Sequence, residues 1–200
     1  MQPVDGRPIK CFRVGNACTT DHHGHSARSP LANVFSLNVP APGHVKRLAA
    51  ELHPRLAGFE RVRERHSLVC KRFESEEYDR LSERVRRALD GTTPIEARVT
   101  GIELFEEPVR GPGPVIYLAV ASPGLVAIHE RLVDAFGAIT DLEADEYVPH
   151  ITLARGGSVD RAEALRSRSV DPIEWTISEL RFYDATHDER AGTLSLPVSY

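Results

Sequence analysis

Cysteine, tryptophan and methionine are scarce, at three, one and one of 200 residues. Three cysteines cannot close into a set of pairs, which excludes a disulfide scaffold and fits a reducing compartment. Long apolar runs are missing as well. The run from Val115 to Ala121 is far short of the roughly 20 residues a membrane helix needs, and residues 1–17 hold no apolar export core. The expectation is a cytoplasmic protein with no membrane partner. Neither sign of charge dominates: 25 basic residues stand against 29 acidic ones, a net of −4. That argues against a non-specific duplex binder but leaves room for a local basic cleft. Lysine is nearly absent too, since only Lys10, Lys46 and Lys71 are not arginine among the basic residues. What remains is a globular composition, 41% hydrophobic and 27% charged, at a length that supports a core without metal or disulfide help.

Residues 1–31 scatter proline and glycine among polar residues without apolar period, and they are expected to be a disordered extension ahead of a domain spanning 32–200. Within that domain the chain repeats itself. The twelve residues from Val34 to Val45 lie over Val115 to Val126 at an offset of 81 without a gap, and six of the twelve are identical. Each copy reads as a strand, a Pro-Gly turn and a helix. Each is followed by a histidine-bearing strand segment, Arg65–Val69 and Pro149–Leu153, with His66 and His150 separated by 84. Tyr78, Leu81, Val85 and Leu89 predict an amphipathic helix. Ser122 and Pro123 open another, with Gly137 beyond its end, and Asp160 with Glu163 predicts a short third. Further strands are expected at Ile95–Val99, Ile102–Leu104, Ile173–Ile177 and Leu194–Leu196. The order βαβαββαβ(α)ββ gives an α+β fold: two pseudo-symmetric lobes, about 33–110 and 114–200, each a small antiparallel sheet backed by helices, facing a central cleft.

On a strand, His150 and Thr152 share one face while Ile151 and Leu153 point into packing. An imidazole beside a hydroxyl suits phosphoryl chemistry, the hydroxyl donating to a non-bridging oxygen while the histidine moves a proton. Tyr147-Val-Pro-His150-Ile-Thr152-Leu-Ala-Arg155 resembles the second signature of the two-histidine (2H) phosphoesterases, in particular the 2′-5′ RNA ligase or RNA 2′,3′-cyclic phosphodiesterase family. The resemblance covers residues 32–200. It implies a hydrolase in which His66 and His150 exchange acid and base roles, Thr152 and Ser67 touch the phosphate, and no metal or cofactor takes part. The substrate it implies is an RNA end or a small cyclic nucleotide, opened to a 2′-phosphate or joined through a reversible 2′-5′ linkage.

The first motif departs from the family's His-x-Thr/Ser, because Ser67 follows His66 directly. Three resolutions stay open: His66 faces the cleft without a same-strand hydroxyl, a β-bulge turns both residues inward, or Ser67-Leu68 matches Thr152-Leu153 and leaves Arg65 in the histidine's place. Lys71, Arg72 and Arg155 are candidates to hold the anion, and Tyr147 to stack a base. Cys11, Cys18, His22, His23 and His25 do not match zinc spacings, and His129 sits on an apolar helix face. No heptad or long apolar edge argues against a monomer. The rival readings are an RNA-binding module of the same fold without catalysis and a hydrolase of another cyclic phosphodiester.

Overall fold

The computed structural model describes residues 35–74 and 77–199. The expected extension over residues 1–31, with its cysteines and histidines, lies outside the described residues. The strands are β1 (Phe35–Pro40), β2 (Arg61–Val62), β3 (Ser67–Phe73), β4 (Ile95–Phe105), β5 (Val115–Ala121), β6 (His150–Arg155), β7 (Ile173–Ile177), β8 (Glu179–Asp184) and β9 (Glu189–Ser195). The helices are α1 (Gly43–Leu52), α2 (Tyr78–Ala88), α3 (Pro123–Phe136) and α4 (Val159–Arg166).

All strand pairs are antiparallel and form two sheets, β3-β1-β8-β9 and β2-β6-β5-β4-β7, so the architecture is α+β as the element order predicts. The repeated segments found each sheet, β1 in one and β5 in the other. The sheets do not coincide with the sequence halves, however. β8 and β9 complete the sheet of β1, while β2 and β4 join that of β5. The expected boundary near residues 110–114 falls in the β4–β5 hairpin, where consecutive strands pair directly.

Local chemistry accounts for most elements. Phe35, Leu37 and Val39 alternate inward on β1, with Pro40 at its end. Leu81 and Val85 bury one side of α2, and its Tyr78 ring meets Phe182 edge-on at 5.6 Å. Ser122 caps α3, accepting from Leu125 N at 3.3 Å, and Gly137 leaves it at φ 81°. The cap of α4 is Ser158, which accepts from Arg161 N at 3.4 Å, two residues before the expected start at Asp160. The two strands expected at Ile95–Val99 and Ile102–Leu104 are one, β4. A bulge at Thr100 shifts the register between Val99/Val120 and Gly101/Ala119, which lets Val99 and Ile102 both point inward although three residues apart. The described apolar residues form one core running through both sheets, with Leu37, Leu68, Leu118, Leu125, Ile151 and Phe182 fully enclosed.

Candidate functional site

Alternation on β6 is as expected: Ile151 and Leu153 are buried, while His150 and Thr152 are half-buried on the other face. The His150 ring is fixed from several sides. Its Nδ1–H donates to the Val148 carbonyl at 2.7 Å, which leaves Nε2 as the acceptor. Phe105 and Tyr117 stack on each other at 4.3 Å, and their rings meet His150 at 5.4 and 5.1 Å. Tyr117 lies directly across from Thr152. Burial lowers the His150 pKa below its ordinary value, the bond to Val148 works against that, and the Arg72 and Arg155 charges lower it further. The imidazole is therefore neutral at neutral pH, with a basic Nε2.

The charges that act on His150 belong to a larger arginine group. Arg155, five residues along β6, donates to the Arg110 carbonyl in the β4–β5 loop at 2.9 Å. Arg61 on β2 pairs across from Arg155, and Arg63 N donates to Leu153 O at 2.8 Å. Arg72 comes from β3, the strand of the other sheet that packs against β6. Burial lowers the pKa of both Arg72 and Arg155. Arg63 and Arg110 add to this at Arg72, where Glu143 and Tyr147 act oppositely, and Arg63, Arg72 and Arg61 add to it at Arg155. Both guanidiniums stay charged.

In the first motif the irregularity lies beyond the histidine. A bulge is present, but at Cys70: Asn38 pairs with Val69 and Leu37 with Lys71. Asn38 and Ala119 are equivalent in the 81-residue repeat, and Ala119 pairs with His150. The position matching His150 is therefore Val69, not His66. In the same way Ser36 pairs with Arg72 where its equivalent Tyr117 pairs with Thr152. The spacing of 84 between the histidines differs from the repeat by three residues, about 10 Å along a strand and a switch of face. His66 accordingly precedes β3, with its carbonyl accepting from Ala41 N at 3.4 Å. Its pKa is lowered by burial first, then by His53 and Lys46, a set of neighbours separate from that of His150. Arg65 is exposed and pairs with Asp188 at 3.5 Å. Ser67 opens β3 opposite Pro40 and is half-buried on the Val69 face.

Two further candidates are corrected. The bulge turns Lys71 inward, where its Nζ meets Glu143 Oε2 at 2.6 Å with both side chains only 2% exposed, so it holds no substrate anion. Tyr147 spends its hydroxyl on the Val69 carbonyl at 3.0 Å and stacks on His129 at 3.8 Å, so its ring is packing rather than a base platform. His129 itself is a satisfied core histidine: Nδ1 bonds Cys70 O at 2.7 Å, and Nε2 accepts from Ala144 N at 3.1 Å.

Phe105, Tyr117, Arg61, Arg63, Arg110 and Asn38 are not among the site residues expected from the sequence. Asn38 lies on the Val69 side of the sheet, and its Oδ1 has no hydrogen-bond partner among the described residues. The alternation Arg61-Val62-Arg63 is too short to mark β2 as a strand. Nothing local marks Arg110. Among the described residues no group of three or more histidine, cysteine or acidic side chains is placed to hold a metal ion, and no helix is long and apolar enough to cross a membrane.

The two antiparallel sheets, with a His-x-Thr strand where they meet, have the fold of the two-histidine phosphoesterases. Residues 67–189 match the model of the 2′-5′ RNA ligase superfamily, and the chain belongs to that superfamily. Solved structures share the fold at low identity. TT0787 of Thermus thermophilus is 18% identical at a TM-score of 0.58, over 84% of this chain and all of that one. E. coli LigT complexed with 3′-AMP is 13% identical at 0.56, over 82% and 98%. Usb1 of Kluyveromyces marxianus is 13% identical at 0.53, over 84% and 100%. No curated protein matches the chain in sequence.

Proposed function

We propose that this protein is a phosphodiesterase that opens 2′,3′-cyclic phosphate ends of RNA to 2′-phosphates, with His150 as its general base. The observation that carries this reading is the His150 ring, held through Nδ1 by Val148 with its neutral Nε2 beside Arg72 and Arg155. In the proposed step Nε2 takes a proton from water, and the water oxygen bonds to phosphorus. The bond to the ribose 3′-oxygen breaks, and that oxygen takes a proton from solvent. Thr152 donates to a non-bridging oxygen, while Arg72 and Arg155 neutralise the charge that builds on the phosphorus oxygens. The superfamily and the likeness to LigT, solved with 3′-AMP, support a phosphoester substrate with a nucleoside attached.

The resemblance asks for a second histidine, and His66 is its candidate. Val69 pairs with Asn38 as His150 pairs with the equivalent Ala119, which supports His150 acting without an imidazole partner. The test compares release of 2′-phosphate by the parent, His150→Ala and His66→Ala. His150→Ala is expected to lose about 10²–10⁴-fold in rate and His66→Ala to stay within about tenfold of the parent. Full activity in His150→Ala would sink the assignment, and equal losses in both would restore a two-histidine pair. Val69 at the symmetry position also favours a second reading, a single-stranded RNA-binding module without turnover. Salt-dependent RNA binding by a parent that turns over no cyclic phosphodiester is the outcome that selects it.

A further inference from the structure

β2 is a two-residue edge strand, and Arg61 and Arg63 lie next to β6 without being needed for the proposed chemical step. A bulge at Leu153 brings Arg155 to the face of Thr152 and His150, and Arg61, directly across from Arg155, shares that face, as does Arg63 two residues on. Val62 between them packs on the core, and the Glu60 side chain lies against Gly156. Arg110 reaches the same region from the β4–β5 loop, where its carbonyl holds Arg155. Among the described residues, none of these three arginines has an ion pair with a carboxylate. Any charge guards an edge strand against pairing, whether acidic or basic. Gathering like charges at one spot costs stability, and an anionic ligand running past it offsets that cost.

We propose that Arg61, Arg63 and Arg110 form a track for the sugar–phosphate backbone of the nucleotides that precede the reacting end, so that the protein acts on the ends of single-stranded RNA in preference to a free cyclic mononucleotide. The proposal rests on the phosphodiesterase reading and names its substrate class. At the strand rise, Arg61 and Arg63 stand about 6.6 Å apart along the backbone, a step that suits successive phosphates of an extended strand. Arginine meets phosphate oxygens with a planar fork of donors and requires no particular base, so the track selects length rather than sequence.

The experiment compares an oligouridylate ending in a 2′,3′-cyclic phosphate with uridine 2′,3′-cyclic phosphate, using the parent and Arg61→Gln/Arg63→Gln. The double variant is expected to raise KM for the oligomer about tenfold and leave kcat/KM for the mononucleotide within about twofold. Equal effects on both substrates, or none on either, would overturn the track. Binding of an unreactive 3′-phosphate oligomer gives an independent readout. The slope of log affinity against log salt should shrink by about 0.7 for every phosphate that no longer meets an arginine. A parent that opens neither substrate refutes the phosphodiesterase reading alone. The salt slope still decides the track, because an unchanged slope in the double variant rejects it.

Discussion

The role proposed for His150 depends on what its other nitrogen does. Because Nδ1–H is committed to Val148, the ring presents one tautomer, and two aromatic rings prevent it from turning. Thr152, two residues on, is the only hydroxyl on β6, and it extends from the same face. Replacing it with valine keeps the shape and removes the O–H donor. Thr152→Val is therefore expected to lower kcat about a hundredfold while leaving the pH dependence set by His150 in place. Stopped-time assays of 2′-phosphate release across pH check both parts. A variant with unchanged kcat would remove Thr152 from the phosphate.

At the scale of elements, the bulge at Cys70 decides which cation serves which purpose. One extra residue turns Lys71 into the core and Arg72 out toward His150, a swap that the sequence Cys-Lys-Arg does not announce. Glu143 secures the arrangement: its carboxylate accepts from Lys71 Nζ at 2.6 Å, Arg72 N at 3.0 Å and Ile139 N at 2.9 Å. Removing it leaves a buried ammonium without a counter-charge, so Glu143→Ala is expected to cost about 3–5 kcal/mol in denaturant unfolding. A loss below about 1 kcal/mol would mean that the pair is not closed in solution.

The packing of α3 against β3 carries a pH signature. Burial lowers the folded pKa of His129, as it does for His66 and His150, whereas the unfolded chain protonates near the ordinary 6.5. Below that pH the unfolded state holds more protons, so stability falls as pH drops from neutral toward the lowered folded values. His187 works in the opposite sense. Its bond to Asp184 raises its pKa, and its contribution is present below 6.5 and fades as pH rises through the raised value. His129→Gln should flatten the decline between pH 7 and about 5 in denaturant titrations. An unaltered decline would place the sensitivity in the other two histidines.

Across the whole molecule, periodicity and repetition made much of the fold legible. The 81-residue repeat located β1 and β5, the caps at Ser122 and Gly137 bounded α3, and His150-x-Thr152 lay on one strand face as its alternation requires. The parts that stayed hidden depend on one-residue irregularities and on distant partners. The bulges at Thr100 and Cys70 invert side-chain facing without any change in composition. β2 is too short to show a period, and β8, although Leu180, Phe182 and Asp184 alternate inward, completes a sheet whose first strand lies about 140 residues earlier. The spacing of 84 between His66 and His150 differs from the repeat of 81 by three residues, which sets His66 ahead of β3 and Val69 across from Asn38.

In the proposed reaction one neutral imidazole, flanked by arginines, handles the proton. The pH dependence of kcat/KM on a cyclic-phosphate RNA end tests it most directly. A single base with its pKa lowered by burial gives one ascending limb with its midpoint below 6.5, followed by a plateau through about pH 8. A bell-shaped profile, with a descending limb near neutrality that disappears in His66→Ala, would contradict it.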